Sequence, residues 1–301
     1  MILSASRRTD IPAFYSDWFI NRIKEGYVLT RNPMNPSQLS RINLSPQTVD
    51  CMVFWTKDPL PMLNKLRVLD TDGYSYYFQF TLTPYGKDIE KNLRDKKDII
   101  QTFKELSRMI GKDRVLWRYD PIILNKTLSI EYHMKEFSRL CDSLSGYTDR
   151  CTISFVDLYS KVNKPVRDGI IREINAEESA FLASGFSGIG RQHGIDIYTC
   201  CEKMDYSEYG VRPAKCIDRE IIEKICGYSL EVKKDRNQRP DCGCMQSVDI
   251  GVYNTCKNGC IYCYANYSME SVENNYQSHN PDSGLLLGEV RAGEVAKERK
   301  Q

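Results

Sequence analysis

The sequence predicts an α/β protein built on a parallel β/α barrel, TIM-like and either closed or partial. Short apolar runs alternate with longer amphipathic segments along almost the whole chain, and this strand-then-helix order implies a parallel sheet with right-handed crossovers. At 301 residues the chain has the size of one such domain, which takes about 250 residues or more. The competing fold is a doubly wound sheet. Against it, Gly185, Gly188 and Gly190 are spaced G-x2-G-x-G and precede a strand, whereas dinucleotide and phosphate-loop glycines follow one. They read as a flexible connection.

In order, Ile2 to Ser6 is a strand and Ala13 to Glu25 a helix stopped by Gly26. The Asn- and Pro-rich RNPMNPSQ reads as a loop, and Cys51 to Thr56 as the second strand. Tyr76 to Thr83 is the third, stopped at Pro84. Ile99, Phe103, Leu106 and Ile110 then repeat at four, three and four, which makes one face of a helix. Val115 to Tyr119 is the fourth strand, followed by a helix with Ile130, Met134, Phe137, Cys141 and Leu144 on one stripe. Cys151 to Leu158 is the fifth. Asn175 with Glu178 forms a capping box opening a helix that decays through SGFSGIG. Ile195 to Cys200 is the sixth strand, Asp218 caps a helix through Ile225 that stops at Gly227, and Val248 to Tyr253 is the seventh. Residues 1–267 form the barrel, with a cysteine loop at 254–266. Residues 268–301, mostly polar and ending in GEVAKERKQ, form a strap with a mobile tip.

The 42 basic and 40 acidic residues nearly cancel, so no global field points to nucleic acid or an anionic membrane. Nucleic-acid binding is left open, and would have to be local. No apolar run approaches the roughly 18 residues of a membrane span, and MILSASRRTD meets charge too early for a signal-peptide core. A cytoplasmic protein with no membrane partner is expected. In that setting twelve cysteines mean metal binding rather than disulfides. Cys51, Cys141 and Cys151 read as small buried hydrophobes; the other nine lie after position 199.

The informative stretch is VDIGVYNTCKNGCIYCYAN, residues 248–266. It places Cys256, Cys260 and Cys263 in the spacing C-x3-C-x2-C after a strand, on a loop that Gly259 lets fold back. Three thiolates so close can share one metal centre. A structural zinc wants four protein ligands, whereas a [4Fe–4S] cluster on three cysteines leaves one iron open. With Tyr262 before the last cysteine, the motif resembles that of radical S-adenosylmethionine enzymes. The resemblance implies a [4Fe–4S] cluster whose open iron binds the amine and carboxylate of S-adenosylmethionine, and a small reductant protein of flavodoxin or ferredoxin type. In that superfamily the loop follows the first strand of a parallel barrel; here it lies near the C-terminus. A circular permutation accounts for this, with Val248 to Tyr253 in the first position and Ile2 to Ser6 beside it. From SRRTDIPAFY through FWTKDP and WRYDP to the cysteine loop, the chain resembles the bacterial family of domain of unknown function 1848, which implies no substrate.

A β/α barrel builds its site at the C-terminal strand ends, and those ends are polar here: Ser6, Arg7, Arg8, Thr9 and Asp10; Lys57 and Asp58; Arg118 and Asp120; Asp157; Glu202. Arg7, Asp10, Arg118 and Asp120 are the candidate catalytic residues, because each follows directly on a strand. Ser6, Arg8, Lys57, Asp157 and Tyr262 are candidates for holding the cofactor's carboxylate, amine and ribose. The alternative reading pairs Arg with Asp in structural rim salt bridges. SRRTD stands where superfamily members place a Gly-Gly-Glu stretch for the methionine amine. Three histidines, at 133, 193 and 279, make a weak case for histidine chemistry.

A second cysteine set comprises Cys200 or Cys201 at a strand end, Cys216, and Cys242 with Cys244. Four of these would close an auxiliary iron–sulfur cluster or a structural zinc, provided that 233–240 crosses the top of the barrel. The leading function is a radical S-adenosylmethionine enzyme of unknown substrate. Its rivals are a non-catalytic iron–sulfur carrier or sensor, and a zinc-stabilised hydrolase using Asp120 and Asp157. Tyr85, Trp117 and Tyr159, with Arg118 and Lys161, would stack on a substrate ring or serve as barrel packing.

Overall fold

In a computed structural model, residues 1–157, 163–239 and 242–299 are described. The chain opens with strand β1 (Ile2–Ala5), followed by helices α1 (Ile11–Phe14) and α2 (Ser16–Glu25), the latter closed by Gly26 at φ 74°. The expected helix from Ala13 is therefore two helices. They break at Tyr15, because Asp10 caps the short α1 by accepting from the Ala13 amide.

RNPMNPSQ is not a loop. It lies in a hairpin of β2 (Tyr27–Asn32) and β3 (Asn35–Asn43), with Met34 91% exposed near the turn. Asn and Pro mask the solvent-exposed tip of this hairpin, where a missing amide donor costs little. Strand β4 (Cys51–Thr56), helix α3 (Leu66–Thr71), β5 (Tyr76–Thr81) and α4 (Lys96–Ile110) follow. Then come β6 (Val115–Ile122), α5 (Ile130–Leu144), β7 (Arg150–Phe155), α6 (Asn163–Arg167) and α7 (Ala176–Gln192).

Helix α7 opens with the expected capping box but does not decay through its glycines; it runs to Gln192. A Cβ at Gly185 would run into Met134 of α5, and one at Gly190 into the carbonyl of Ile195 and the side chain of Ile197. These glycines provide close approach rather than flexibility, and between them the Phe137 and Phe186 rings stack at 3.9 Å.

Strands β8 (Asp196–Cys200) and β9 (Arg212–Ala214), helix α8 (Arg219–Cys226), strand β10 (Val248–Asp249), helix α9 (Met269–Gln277) and strand β11 (Lys297–Glu298) complete the order. Asp218 caps α8 and Gly227 ends it at φ 79°. β9 is too short to show a period in sequence, and β10 is two residues where six were expected, because Asp249 turns the chain into the cysteine loop.

Eight strands form one all-parallel sheet in the order β10-β1-β4-β5-β6-β7-β8-β9. β10 pairs with β1 as expected, Leu3 opposite Val248 and Ser4 opposite Asp249. Helices α2, α4, α5 and α7 pack on one face through residues such as Trp18, Phe103, Phe137 and Phe186. The other face, with Ile2, Cys51, Val53, Tyr77 and Leu116, is covered by the chain around α8. No ladder among the described residues joins β9 to β10. The C-terminal strap is tied down: Ser283 and Asp282 carbonyls accept from Trp18 and Arg22, and β11 pairs with β3.

Candidate metal centre

The cysteine loop hangs from Asp249. Its carboxylate accepts from Ser4 Oγ (2.7 Å), Ser6 Oγ (2.6 Å), the Arg7 amide (2.9 Å) and the Gly251 amide (2.9 Å), which fastens the β1 exit to the start of the loop. Gly251 is required there, since a Cβ would run into Ser6 Oγ. Asn254, in the left-handed region at φ 58°, closes the loop base by donating its amide to the Ala265 carbonyl (3.0 Å). The far side is docked on 86–92: Asn92 donates to the Asn258 and Lys257 carbonyls, and Ile261 to the Ile89 carbonyl. Gly259, at φ 67°, would otherwise press a Cβ to 3.0 Å from Asn92 Nδ2.

Within this frame Cys256, Cys260 and Cys263 are half-buried and lie within electrostatic reach of one another. Burial pushes the Cys260 thiol up to about 12 against the pull of Lys57. Beside it lies an ion cluster in which Glu90, 1% exposed, accepts from Lys57 Nζ (2.7 Å), Lys96 Nζ, Thr83 Oγ1 (2.9 Å) and Tyr262 Oη. Burial alone would raise the Glu90 carboxyl, but the two ammoniums outweigh it and bring it down to about 2. Two cations against one carboxylate leave a positive surplus next to Cys260. Neither Glu90 nor Lys96 is visible as a site residue in the sequence; Glu90 sits in the unremarkable run KDIEKN.

Of the expected catalytic residues, Asp10 is consumed in structure. It accepts from the Ala13 and Lys57 amides and from Asn258 Nδ2 (3.1 Å), and burial raises it to about 6. It ties the β1 exit, the β4 exit and the cysteine loop together. Arg118 pairs with Asp120 on its own strand, and Ser154 donates to the same carboxylate. Asp157 pairs with Arg239 at 2.6 Å. The carboxylate pair of a hydrolase is therefore engaged by two guanidiniums, as in the salt-bridge reading.

Arg7 differs. Its guanidinium stacks over Trp55 at 5.1 Å, and buried Nη2 has no hydrogen-bond partner; neither has Thr9 Oγ1. Arg8 bonds the Gly251 carbonyl (3.3 Å) and lies over Tyr253.

The second cysteine set converges. Cys200 Sγ lies 3.1 Å from Cys216 Sγ, Cys216 contacts Cys244, and Cys244 contacts Cys242. Cys200 is the member of the adjacent pair that meets Cys216; Cys201 has a left-handed backbone, φ 59°. Arg118 Nη1 donates to Cys216 Sγ at 3.0 Å, and Arg7 is charge-coupled to Cys216 and Cys244. The thiol contacts draw Cys216 well below its usual range and hold Cys244 well above it. As the path of 233–240 requires, the chain makes a hairpin, Gln246 to Lys233 and Asp235 to Cys244, that carries Arg239 to Asp157 beyond β7.

Among the described residues, no three His, Cys, Asp or Glu side chains already form a ready cage for a single ion. A four-iron cluster is wider than one ion, so the loop thiols remain compatible with it. Tyr85 and Trp117 are core, bonded to the Pro121 and Leu82 carbonyls; Tyr159 and Lys161 lie outside the described residues. His133 is fully buried between Tyr119 Oη (2.7 Å) and the Ile123 carbonyl (2.8 Å). A recess of about 560 Å³ lies by Arg114, Arg150 and Lys224, and none of the candidate metal ligands lines it. No described helix is long and apolar enough to cross a membrane.

Fold and site define an α/β protein built on an eight-stranded all-parallel sheet, with a cysteine loop at the exit of an edge strand. The chain belongs to the family described as domain of unknown function (DUF1848), whose model matches residues 2–265. No curated protein and no solved structure matches it.

Proposed function

We propose that this chain is an iron–sulfur enzyme of radical S-adenosylmethionine type. Cys256, Cys260 and Cys263 would hold a [4Fe–4S] cluster, with S-adenosylmethionine on the polar strand ends beside it. The observation that carries this is the three-thiol donor set on one loop, held at both ends, at the exit of the edge strand β10. The sheet is then a permuted β/α barrel with β10 in first place and β1 in second; their parallel pairing supports that reading. When bound, the cluster and S-adenosylmethionine would supply one-electron reductive cleavage of the sulfonium, using electrons from a flavodoxin- or ferredoxin-type donor in the cytoplasm.

The protein's own part is binding and charge placement. Lys57, backed by Glu90 and Lys96, offsets negative charge at the Cys260 side of the loop. Arg7 Nη2 and Thr9 Oγ1, buried without partners, suit the carboxylate and amine ends of an amino-acid moiety and take the place of a Gly-Gly-Glu stretch. Ser6 and Asp10 take part in holding the loop.

The test is purification without oxygen. Brown protein with about four irons and matching sulfide at this site, lost when the three cysteines are replaced together by Ala, is expected. So is cleavage of S-adenosylmethionine under dithionite. Iron content unchanged in the triple variant would overturn the cluster assignment, and iron without cleavage would leave an electron carrier.

A further inference from the structure

We propose that Cys200, Cys216, Cys242 and Cys244 bind one tetrahedral zinc-type ion, which staples the two ends of the parallel sheet to each other. Cys200 ends β8 and Cys216 follows β9, at one end of the strand order; Cys242 and Cys244 precede β10, at the other. No ladder among the described residues joins these ends, but they meet at the thiols. The Met245 amide donates to the Ile217 carbonyl (3.0 Å), and the Ile217 amide lies 3.5 Å from Cys244 Sγ. Gly243 permits the approach, since a Cβ there would already stand 3.0 Å from Lys215 Cγ.

Arg118, buried with Nη1 3.0 Å from Cys216 Sγ, and half-buried Arg7, which interacts by charge with Cys216 and Cys244, stand beside the thiols. They favour the thiolate form that binds metal and offset the net negative charge of a four-thiolate site. Cys216 also accepts, at its carbonyl, from Tyr77 Oη (2.7 Å) and Gln79 Nε2 (2.8 Å), so the ligand segment is pinned to β5.

Size decides the metal class. Four sulfurs on a zinc at about 2.3 Å stand about 3.8 Å apart; of the thiol contacts, that between Cys200 and Cys216 is at 3.1 Å and would open slightly. Those contacts run as a chain, from Cys200 to Cys216 to Cys244 to Cys242, so binding needs Cys242 drawn inward rather than a new fold. An iron–sulfur cluster would instead have to spread Cys216 and Cys244, 8% and 2% exposed, against Ile2, Cys51, Val53 and Tyr77 in close-packed surroundings.

The experiment uses the full chain with Cys256, Cys260 and Cys263 all replaced by Ala, so that the first centre does not contribute and the two assignments fail independently. About one zinc per chain is expected after purification, exchangeable for Co²⁺ with the thiolate charge-transfer and intense d–d bands of a tetrahedral cobalt–sulfur site. C216S in that background should lose both; C201S should keep both. Should C216S not fold, titrating the chelator-treated triple variant with Co²⁺ reads the site without it. Iron and sulfide in place of zinc, no stoichiometric metal, or octahedral cobalt spectra would each overturn the proposal.

Discussion

Residue by residue, what matters at this site is who satisfies whom. Asp10 lies beyond the exit of β1 and Asp120 within β6, and the structure spends Asp10 on a helix cap and two neighbouring loops, and Asp120 on Arg118 and Ser154. Arg7 Nη2 and Thr9 Oγ1 are buried without a hydrogen-bond partner, which is why the proposed function gives them to the ligand. His133 is a buried residue of the opposite kind, fully partnered and neutral. Burial lowers it to about 4, only partly offset by its bond to the Ile123 carbonyl. Between about pH 4 and the unfolded value near 6.5, the unfolded chain therefore binds a proton that the native state refuses. Stability should rise with pH across that window and fall by roughly 3 kcal/mol on going from its top to its bottom. Urea unfolding at pH 7 and 4.5 checks this: H133Q should lose clearly less stability than the parent on acidification, and parallel losses would refute it.

At the scale of elements, helix α7 shows how packing overrides composition. Its glycines suggest a frayed end, but Gly190 lies against the Ile195 carbonyl while Gly188 faces open space. The two positions should therefore respond oppositely. G188A should stabilise by roughly 0.5–1 kcal/mol through helix propensity. G190A should destabilise by roughly 1–3 kcal/mol, because the added methyl forces helix and strand apart. Thermal melts of both variants are the check, and a stabilised G190A would sink the packing argument. The same logic explains the hairpin at 27–43. Its Asn and Pro residues look like turn formers, but they lie at the exposed tip of the hairpin, before the Ser40–Arg41 stretch where β11 joins β3, so a poor strand sequence suffices there.

For the whole molecule, the joint between the first and last strands of the sheet is held by one carboxylate. Asp249 accepts four hydrogen bonds from β1, its exit and its own loop. In D249N one oxygen becomes a donor that faces a backbone N–H and a hydroxyl, and Arg8 loses its partner at 4.0 Å. Hydrogen bonds to a charged group are worth about 1.5–3 kcal/mol each, so a loss of roughly 2–4 kcal/mol is expected in denaturant unfolding. A variant as stable as the parent would show that β10 is held by something else.

The sequence by itself determined the strand-and-helix alternation, the caps at Asn175 and Asp218, the stripes of α4 and α5, and the three-cysteine loop after a strand. All of these are written in spacings of a few residues, which is the range over which backbone hydrogen bonding and side-chain periodicity act. The pairing of β10 with β1 was expected from the resemblance to radical S-adenosylmethionine enzymes, whose cysteine loop follows the first barrel strand, read with a circular permutation. Only the tertiary structure decided that Glu90 and Lys96 join Lys57 beside Cys260, that Asp249 anchors the loop, and that Cys200 meets Cys216. It also decided that the 233–246 hairpin brings Cys242 and Cys244 to them. These contacts join residues far apart in the chain, and no local period encodes them. They follow from where packed helices and strands leave each loop to run, and from the need to give every buried charge a partner.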